Sequence, residues 1–74
     1  MNEPLSEADL HAVRQILVVI EDHLSRSDDF EVNWSVATRD GGAPEAVWDE
    51  VVRQAREAGW DATKDADVVR IRRL

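Results

Sequence analysis

Apolar residues recur every three or four positions in the first third of the chain, which is the spacing of a helix with one buried face. Ser6 precedes this repeat and is placed to cap the helix by accepting a hydrogen bond from the amide of Asp9. The pattern therefore predicts a helix from Glu7 to Arg26, on which the rest of the fold is organised. The predicted buried stripe consists of Leu10, Val13, Ile16, Leu17, Ile20 and Leu24.

A strand and a second helix are predicted in the middle of the chain. Apolar and polar residues alternate from Phe30 to Val36, as in a strand with one buried face. Residues 38–42 are rich in turn formers, and Pro44 suits the first position of a helix. Apolar residues then recur at helical spacing as far as Ala58, and Gly59 predicts that the helix ends in a left-handed cap.

The remaining residues predict a terminal hairpin, with strands at 60–63 and 68–74 joined by a turn at 64–67. A right-handed connection through the second helix makes the first two strands parallel. The last strand then lies between them, antiparallel to both. The predicted fold of residues 1–74 is thus a single α+β domain in the order α-β-α-β-β, with two helices packed on one face of a small three-stranded mixed sheet.

Length and composition limit the possible functions. A chain of 74 residues forms one domain and has little room for a deep active site. It contains no cysteine, which excludes disulfides and thiolate metal sites. The longest apolar run, Ile16–Ile20, is too short to cross a bilayer, and the first residues do not have the pattern of a secretory signal. A cytoplasmic location with no membrane contact is therefore predicted.

Charge is distributed unevenly along the chain. The net charge is −7, and the three arginines among residues 68–74 leave −10 on the remainder. This negative charge is expected to repel nucleic acid over most of the surface and to attract cationic partners. Apolar residues make up 43% of the chain and include three tryptophans, so we predict a folded core rather than disorder.

The ionisable residues do not predict a catalytic or metal site. Glu21, Asp22 and His23 are consecutive on the predicted helix, so their side chains point about 100° apart and cannot converge on one ion. His11 lies more than three helical turns from His23, and the serines have no nucleophile motif around them. We therefore predict a non-enzymatic protein that holds no metal and no cofactor.

Acidic residues are concentrated around the end of the first predicted helix. This position is unfavourable, because the C-terminal end of a helix carries partial negative charge and prefers basic residues. Local rules tend to be broken where function requires it, so we predict a partner-binding surface here, with the apolar Val18 as an anchor. The competing interpretation is solvated charge that keeps the protein in solution. The predicted binding residues are Glu21, Asp22, Asp28, Asp29 and Glu31.

The chain resembles the small acidic inhibitors made by bacteriophages, among them the anti-CRISPR proteins. The resemblance is one of profile: a short, cysteine-free, acidic chain with a compact α/β pattern, no catalytic motif and a helix ending in residues 55–60 before a short strand. It implies a protein that binds a basic nucleic-acid-binding protein of the bacterial host, such as a CRISPR effector subunit. Several such inhibitors imitate DNA, with carboxylates in the place of phosphates. Asp49, Glu50 and Asp61 are outlying members of such a surface.

Two other classes of function remain open. The last strand carries Arg70, Arg72 and Arg73, which suit a small DNA- or RNA-binding regulator, although the acidic remainder of the chain disfavours direct binding of nucleic acid. Glu31 is also placed to neutralise one of these arginines across the sheet, whose exposed face is predicted to include Asn33 and Ser35. The third possibility is a structural or oligomerisation module, and the sequence allows a monomer or a dimer.

Overall fold

The computed structural model describes residues 5–73 of the chain. The elements follow the order α-β-α-α-β-β, with one more helix than predicted. Their bounds are α1 Glu7–Leu24, β1 Asp29–Val32, α2 Trp34–Arg39, α3 Glu45–Glu57, β2 Asp61–Lys64 and β3 Val69–Arg72. The predicted end of the last strand at Leu74 lies outside the described residues.

The beginning of α1 is formed as its sequence predicts. The Ser6 hydroxyl accepts the Asp9 amide at 3.1 Å, and the Asp9 carboxylate accepts the Ser6 amide at 3.4 Å, which completes a capping box. The helix ends at Leu24, two residues before the predicted end at Arg26. The reason is that the Arg26 amide bonds to the carbonyl of His23, three residues back, which closes a tighter turn.

The first strand ends earlier than the alternation of apolar residues predicts. β1 stops at Val32, and Trp34 and Val36 belong to α2. The side chain of Asn33 accepts the Val36 amide at 3.0 Å and so caps a helix at the point where the strand was expected to continue. Trp34 is nevertheless buried, and its indole N–H donates to the carbonyl of Asp65 at 2.9 Å.

The three strands form one sheet in the order β1-β3-β2. The predicted insertion of the last strand between the other two is confirmed, since β3 pairs antiparallel with both neighbours. The predicted mixed sheet is wrong, because β1 and β2 share a direction but do not pair, so every ladder is antiparallel. Ile71 lies opposite Phe30 on one side and Ala62 on the other.

The sheet has one buried and one exposed face. Val69 and Ile71 of β3 are fully buried, whereas the arginines between and after them are exposed. α3 packs on β2 and β3, and α1 packs on β1 and α3. Asn33 and Ser35 were predicted on the exposed face, but they form the cap and first turn of α2 because the strand ends before them.

The core is built mainly from α3, β3 and one side of α1. Of the predicted α1 stripe, Ile16 and Leu17 are half-buried and Leu10 remains 42% exposed. The buried apolar residues are Val13, Ile20, Leu24, Trp34, Val47, Trp48, Val51, Val52, Ala55, Ala62, Val69 and Ile71.

The ends of α3 follow the expected chemistry closely. Pro44 is the N-cap, one position before the predicted site. At the other end Gly59 has φ of +93°, and its amide bonds to the Arg56 carbonyl at 3.0 Å. The Trp60 amide bonds to the Ala55 carbonyl at 3.1 Å. These bonds form the predicted Schellman motif, which turns the chain into β2.

Ion pairs on α3 join neighbouring turns of the helix and also link it to β2. Arg53 bonds to Glu50 and Glu57, and this contact lowers the pKa of Glu50 to about 2. Asp49 has the helical spacing to pair with Arg53, but it lies 2.9 Å from the ammonium group of Lys64 instead. A contact from a different element has therefore replaced the local one.

Lys64 ends β2 and is not part of the predicted turn. Its side chain is only 16% exposed, and its Nζ atom lies 2.8 Å from Glu45. The same atom lies 4.4 Å from the centre of the Trp34 ring, in a cation–π geometry. Hydrogen bonds to Asp49 and then to Glu45 raise the pKa of Lys64. This contact joins β2 to both α2 and α3.

We expect Gly59→Ala to lower the free energy of unfolding by about 1 kcal/mol. The space around Gly59 is open, so the cost comes from the left-handed backbone and not from a clash. Gly59→Asn is the matched control, because asparagine tolerates this conformation better than alanine. Urea unfolding followed by tryptophan fluorescence measures both variants. Equal stability of the alanine variant and the native chain would contradict the prediction.

The titration of Lys64 makes the free energy of unfolding depend on pH, and few other groups of this chain titrate in the same range. Lys64 is the single lysine, and the sequence has no tyrosine and no cysteine. Its pKa is raised above the ordinary value of 10.5 on folding, so its stabilisation is complete below pH 10.5 and is lost as the pH rises further. We expect the free energy of unfolding to fall by up to about 1 kcal/mol above that pH, since the two partner carboxylates are exposed. Lys64→Met should lack this fall, and an unchanged fall would exclude Lys64 as its cause.

Candidate functional site

The five predicted binding residues lie on both sides of one short connection. Glu21 and Asp22 occupy the last turns of α1, Asp28 lies in the connection, and Asp29 and Glu31 belong to β1. All five are exposed. We refer to these five carboxylates as the acidic surface.

The sheet divides the acidic surface into two groups. Asp29 and Glu31 point to the exposed face of the sheet. The end of α1 packs on the opposite face, as the edge-on contact of the His23 and Phe30 rings at 5.5 Å shows. Glu21 therefore lies on the helix side and Asp29 on the sheet side, with the connection between them. Sequence proximity did not indicate this separation.

Arginines of the same chain neutralise part of the acidic surface. Among residues 5–73, Glu21 and Asp29 have no ion pair. The other three carboxylates do form ion pairs, but these pairs are exposed, so each pair contributes little to stability. The Glu31 carboxylate raises the pKa of the Arg70 guanidinium. The acidic surface is thus less negative than its sequence suggests. The three pairs are Asp22 with Arg26 at 2.5 Å, Glu31 with Arg70 at 2.9 Å and Asp28 with Arg73 at 3.7 Å.

Val18 is an exposed apolar residue beside the helix-side carboxylates. Its exposed fraction is 65%. Val18 lines a shallow depression together with Glu21, Asp22 and Ser25. The valine and the two carboxylates therefore belong to one continuous patch on α1, as an anchoring role requires.

The arginines of β3 lie between acidic residues of the neighbouring strands. Arg72 is opposite Asp29 on β1 and Asp61 on β2, and Arg70 is opposite Glu31. The exposed face therefore carries alternating charges across the sheet and not a continuous basic stripe. Asp61 was only an outlying member of the predicted surface, because the strand register that aligns it with Asp29 is not visible in the sequence.

Residues 5–73 contain neither a metal-binding cluster nor a membrane-spanning helix. That segment contains no group of three or more acidic or histidine side chains that is arranged to hold a metal ion. His11 bonds instead to Gln15 at 3.0 Å. None of the helices in the same segment is both long and apolar enough to cross a membrane.

Comparisons with known proteins do not assign a family. The chain matches no protein-family model, no curated protein sequence and no solved structure. Its function is therefore inferred from the geometry and charge of the residues described above.

We expect the native protein not to retard short DNA or RNA in a gel at about 0.1 M salt. The reason is that carboxylates flank the arginines of β3 and compete with phosphate for them. The control is the variant Arg70→Ala with Arg72→Ala, which should migrate in the same way when mixed with nucleic acid. A shift by the native protein that this variant loses would instead identify a nucleic-acid-binding regulator.

Proposed function

We propose that this chain is a non-enzymatic inhibitor of the anti-CRISPR type, which acts in the bacterial cytoplasm. Its acidic surface binds a basic nucleic-acid-binding protein, such as a CRISPR effector subunit, and occupies positions that DNA phosphates otherwise take. The proposal rests on surface chemistry, and no cluster of metal-binding side chains competes with it among residues 5–73.

The observation that supports this proposal most directly is the exposure of the carboxylates at the α1–β1 connection. The Asp28 side chain is 98% exposed, and its contact with Arg73 is long at 3.7 Å. Asp29 follows it directly and has no ion pair within residues 5–73. Two adjacent carboxylates are therefore available to a cationic partner.

The ion pairs within the chain determine how such binding works. Arg26, Arg70 and Arg73 lie beside the acidic surface, so a partner must replace them or bind around them. Exposed pairs are weak, and exchanging them for lysines or arginines of a partner has a small cost. We therefore expect fast association that weakens strongly as salt increases.

The test is the double variant Asp28→Lys with Asp29→Lys. Tagged native protein should capture a basic nucleic-acid-binding subunit from a bacterial lysate that contains CRISPR effectors, and should release it at high salt. The double variant should lose this capture, because it presents two positive charges to a positive surface. Mass spectrometry identifies the captured subunit, and competition with DNA tests whether the protein occupies its nucleic-acid site.

The matched control is Asp65→Lys with Asp67→Lys. These residues are exposed and lie in the β2–β3 turn, at the opposite end of the sheet from Asp29. The control has the same change in net charge, so retained capture shows that position matters and not total charge. Equal capture by all three proteins would exclude the Asp28–Asp29 pair, and capture of no basic subunit would exclude the inhibitor for the partners present.

A further inference from the structure

The solvent side of α1 carries a stripe of exposed residues that is arranged symmetrically about Val18. The members are spaced by three or four residues, which places them on one face of the helix. Val18 is the apolar residue at the centre, and Val19, also exposed, borders it. The stripe consists of His11, Arg14, Gln15, Val18, Glu21, Asp22 and the C-cap Ser25, all of which are exposed, and Glu7 continues the same face one turn before His11.

The two halves of this α1 stripe differ in charge. Arg14 lies four residues before Val18, and Glu21 and Asp22 lie three and four residues after it. With the helical rise, these residues lie about 4.5–6 Å along the helix axis from Val18, in opposite directions. A surface with this polarity is complementary to a reversed copy of itself.

We propose that the α1 stripe is a contact between two copies of this chain, with the α1 helices antiparallel about a two-fold axis at Val18. Val18 then packs against Val18 of the second copy. Arg14 of each copy faces the carboxylates of the other, chiefly Glu21, because Asp22 already pairs with Arg26. A second copy fits better than an unrelated protein because the stripe itself supplies both members of each charge pair.

This contact goes beyond the proposed function and narrows the surface that remains for a basic partner. Glu21 and Asp22 belong to the contact between copies, whereas Asp28, Asp29 and Glu31 stay exposed. One valine from each copy gives a small apolar centre, so the interface falls in the weak class.

Sedimentation equilibrium of the full chain from about 10 μM to about 1 mM detects a dimer of this strength. Val18→Asp should raise the dissociation constant about tenfold or more, because it brings two carboxylates together at the centre of the contact. Val36→Asp is the matched control: Val36 is an exposed valine on α2, outside the stripe, and its replacement should leave the dimer unchanged.

Charge reversal tests the antiparallel arrangement separately. Arg14→Glu places like charges opposite each other, as does the double variant Glu21→Lys with Asp22→Lys, so each protein alone should dimerise about tenfold more weakly. An equal mixture of the two should regain association, because every facing pair is again of opposite sign. The triple variant that combines the three changes should also dimerise, whereas a parallel arrangement would not be restored by combining them.

Several outcomes would overturn the proposal. They are a native protein that stays monomeric at about 1 mM, a dimer that Val18→Asp does not weaken, or charge-reversed proteins that do not associate when mixed. Circular dichroism and urea unfolding confirm that each variant is folded, and the charge reversals decide the question if Val18→Asp is unstable. These measurements use no other protein, so they are independent of capture from a lysate.

Discussion

The fold depends on the pairing of β3 with both neighbouring strands. Val69 and Ile71 are fully buried against the helices, and Arg70 between them must therefore point to solvent. A shift of the register by one residue would bury Arg70 and expose Ile71, so the core and the exposed face are determined together. The same register places Arg72 between Asp29 and Asp61. The strand that forms the centre of the core thus also arranges the charges on the other side of the sheet.

Local signals predicted much of the fold, and contacts between distant residues account for most of the differences. The capping of α1 by Ser6 and the end of α3 at Gly59 depend on neighbouring residues, and both are confirmed. The alternation of apolar and polar residues up to Val36 is compatible with one long strand. It is equally compatible with a short strand followed by a helix, which is the observed structure. The side chain of Asn33 favours the helix by capping α2. The Trp34 indole is held by a hydrogen bond to the carbonyl of Asp65, 31 residues away. The sequence pattern alone did not reveal that contact.

The five carboxylates of the candidate site were predicted as one surface, whereas the structure divides them between the two sides of the sheet. The carboxylates could be identified because they are close in sequence, and one partner, Arg26, lies a helical turn away from Asp22. Two other features follow from the sheet. Arg70 reaches Glu31 across strands that are 39 residues apart in the chain, and the sheet separates Glu31 from the helix-side carboxylates. The acidic surface is therefore less continuous and less negative than the sequence suggests.

The position of Glu21 connects the energetics of the helix with its surface. A carboxylate near the C-terminal end of α1 costs a few tenths of a kcal/mol against the helix dipole. Arg26 offsets this cost for Asp22, but Glu21 has no ion pair among residues 5–73. In an antiparallel pair of α1 helices, Arg14 of the second copy supplies the missing charge. A single contact then accounts for the unfavourable position of Glu21, for the exposed Val18 and for the opposite charges of Arg14 and Glu21 on either side of it.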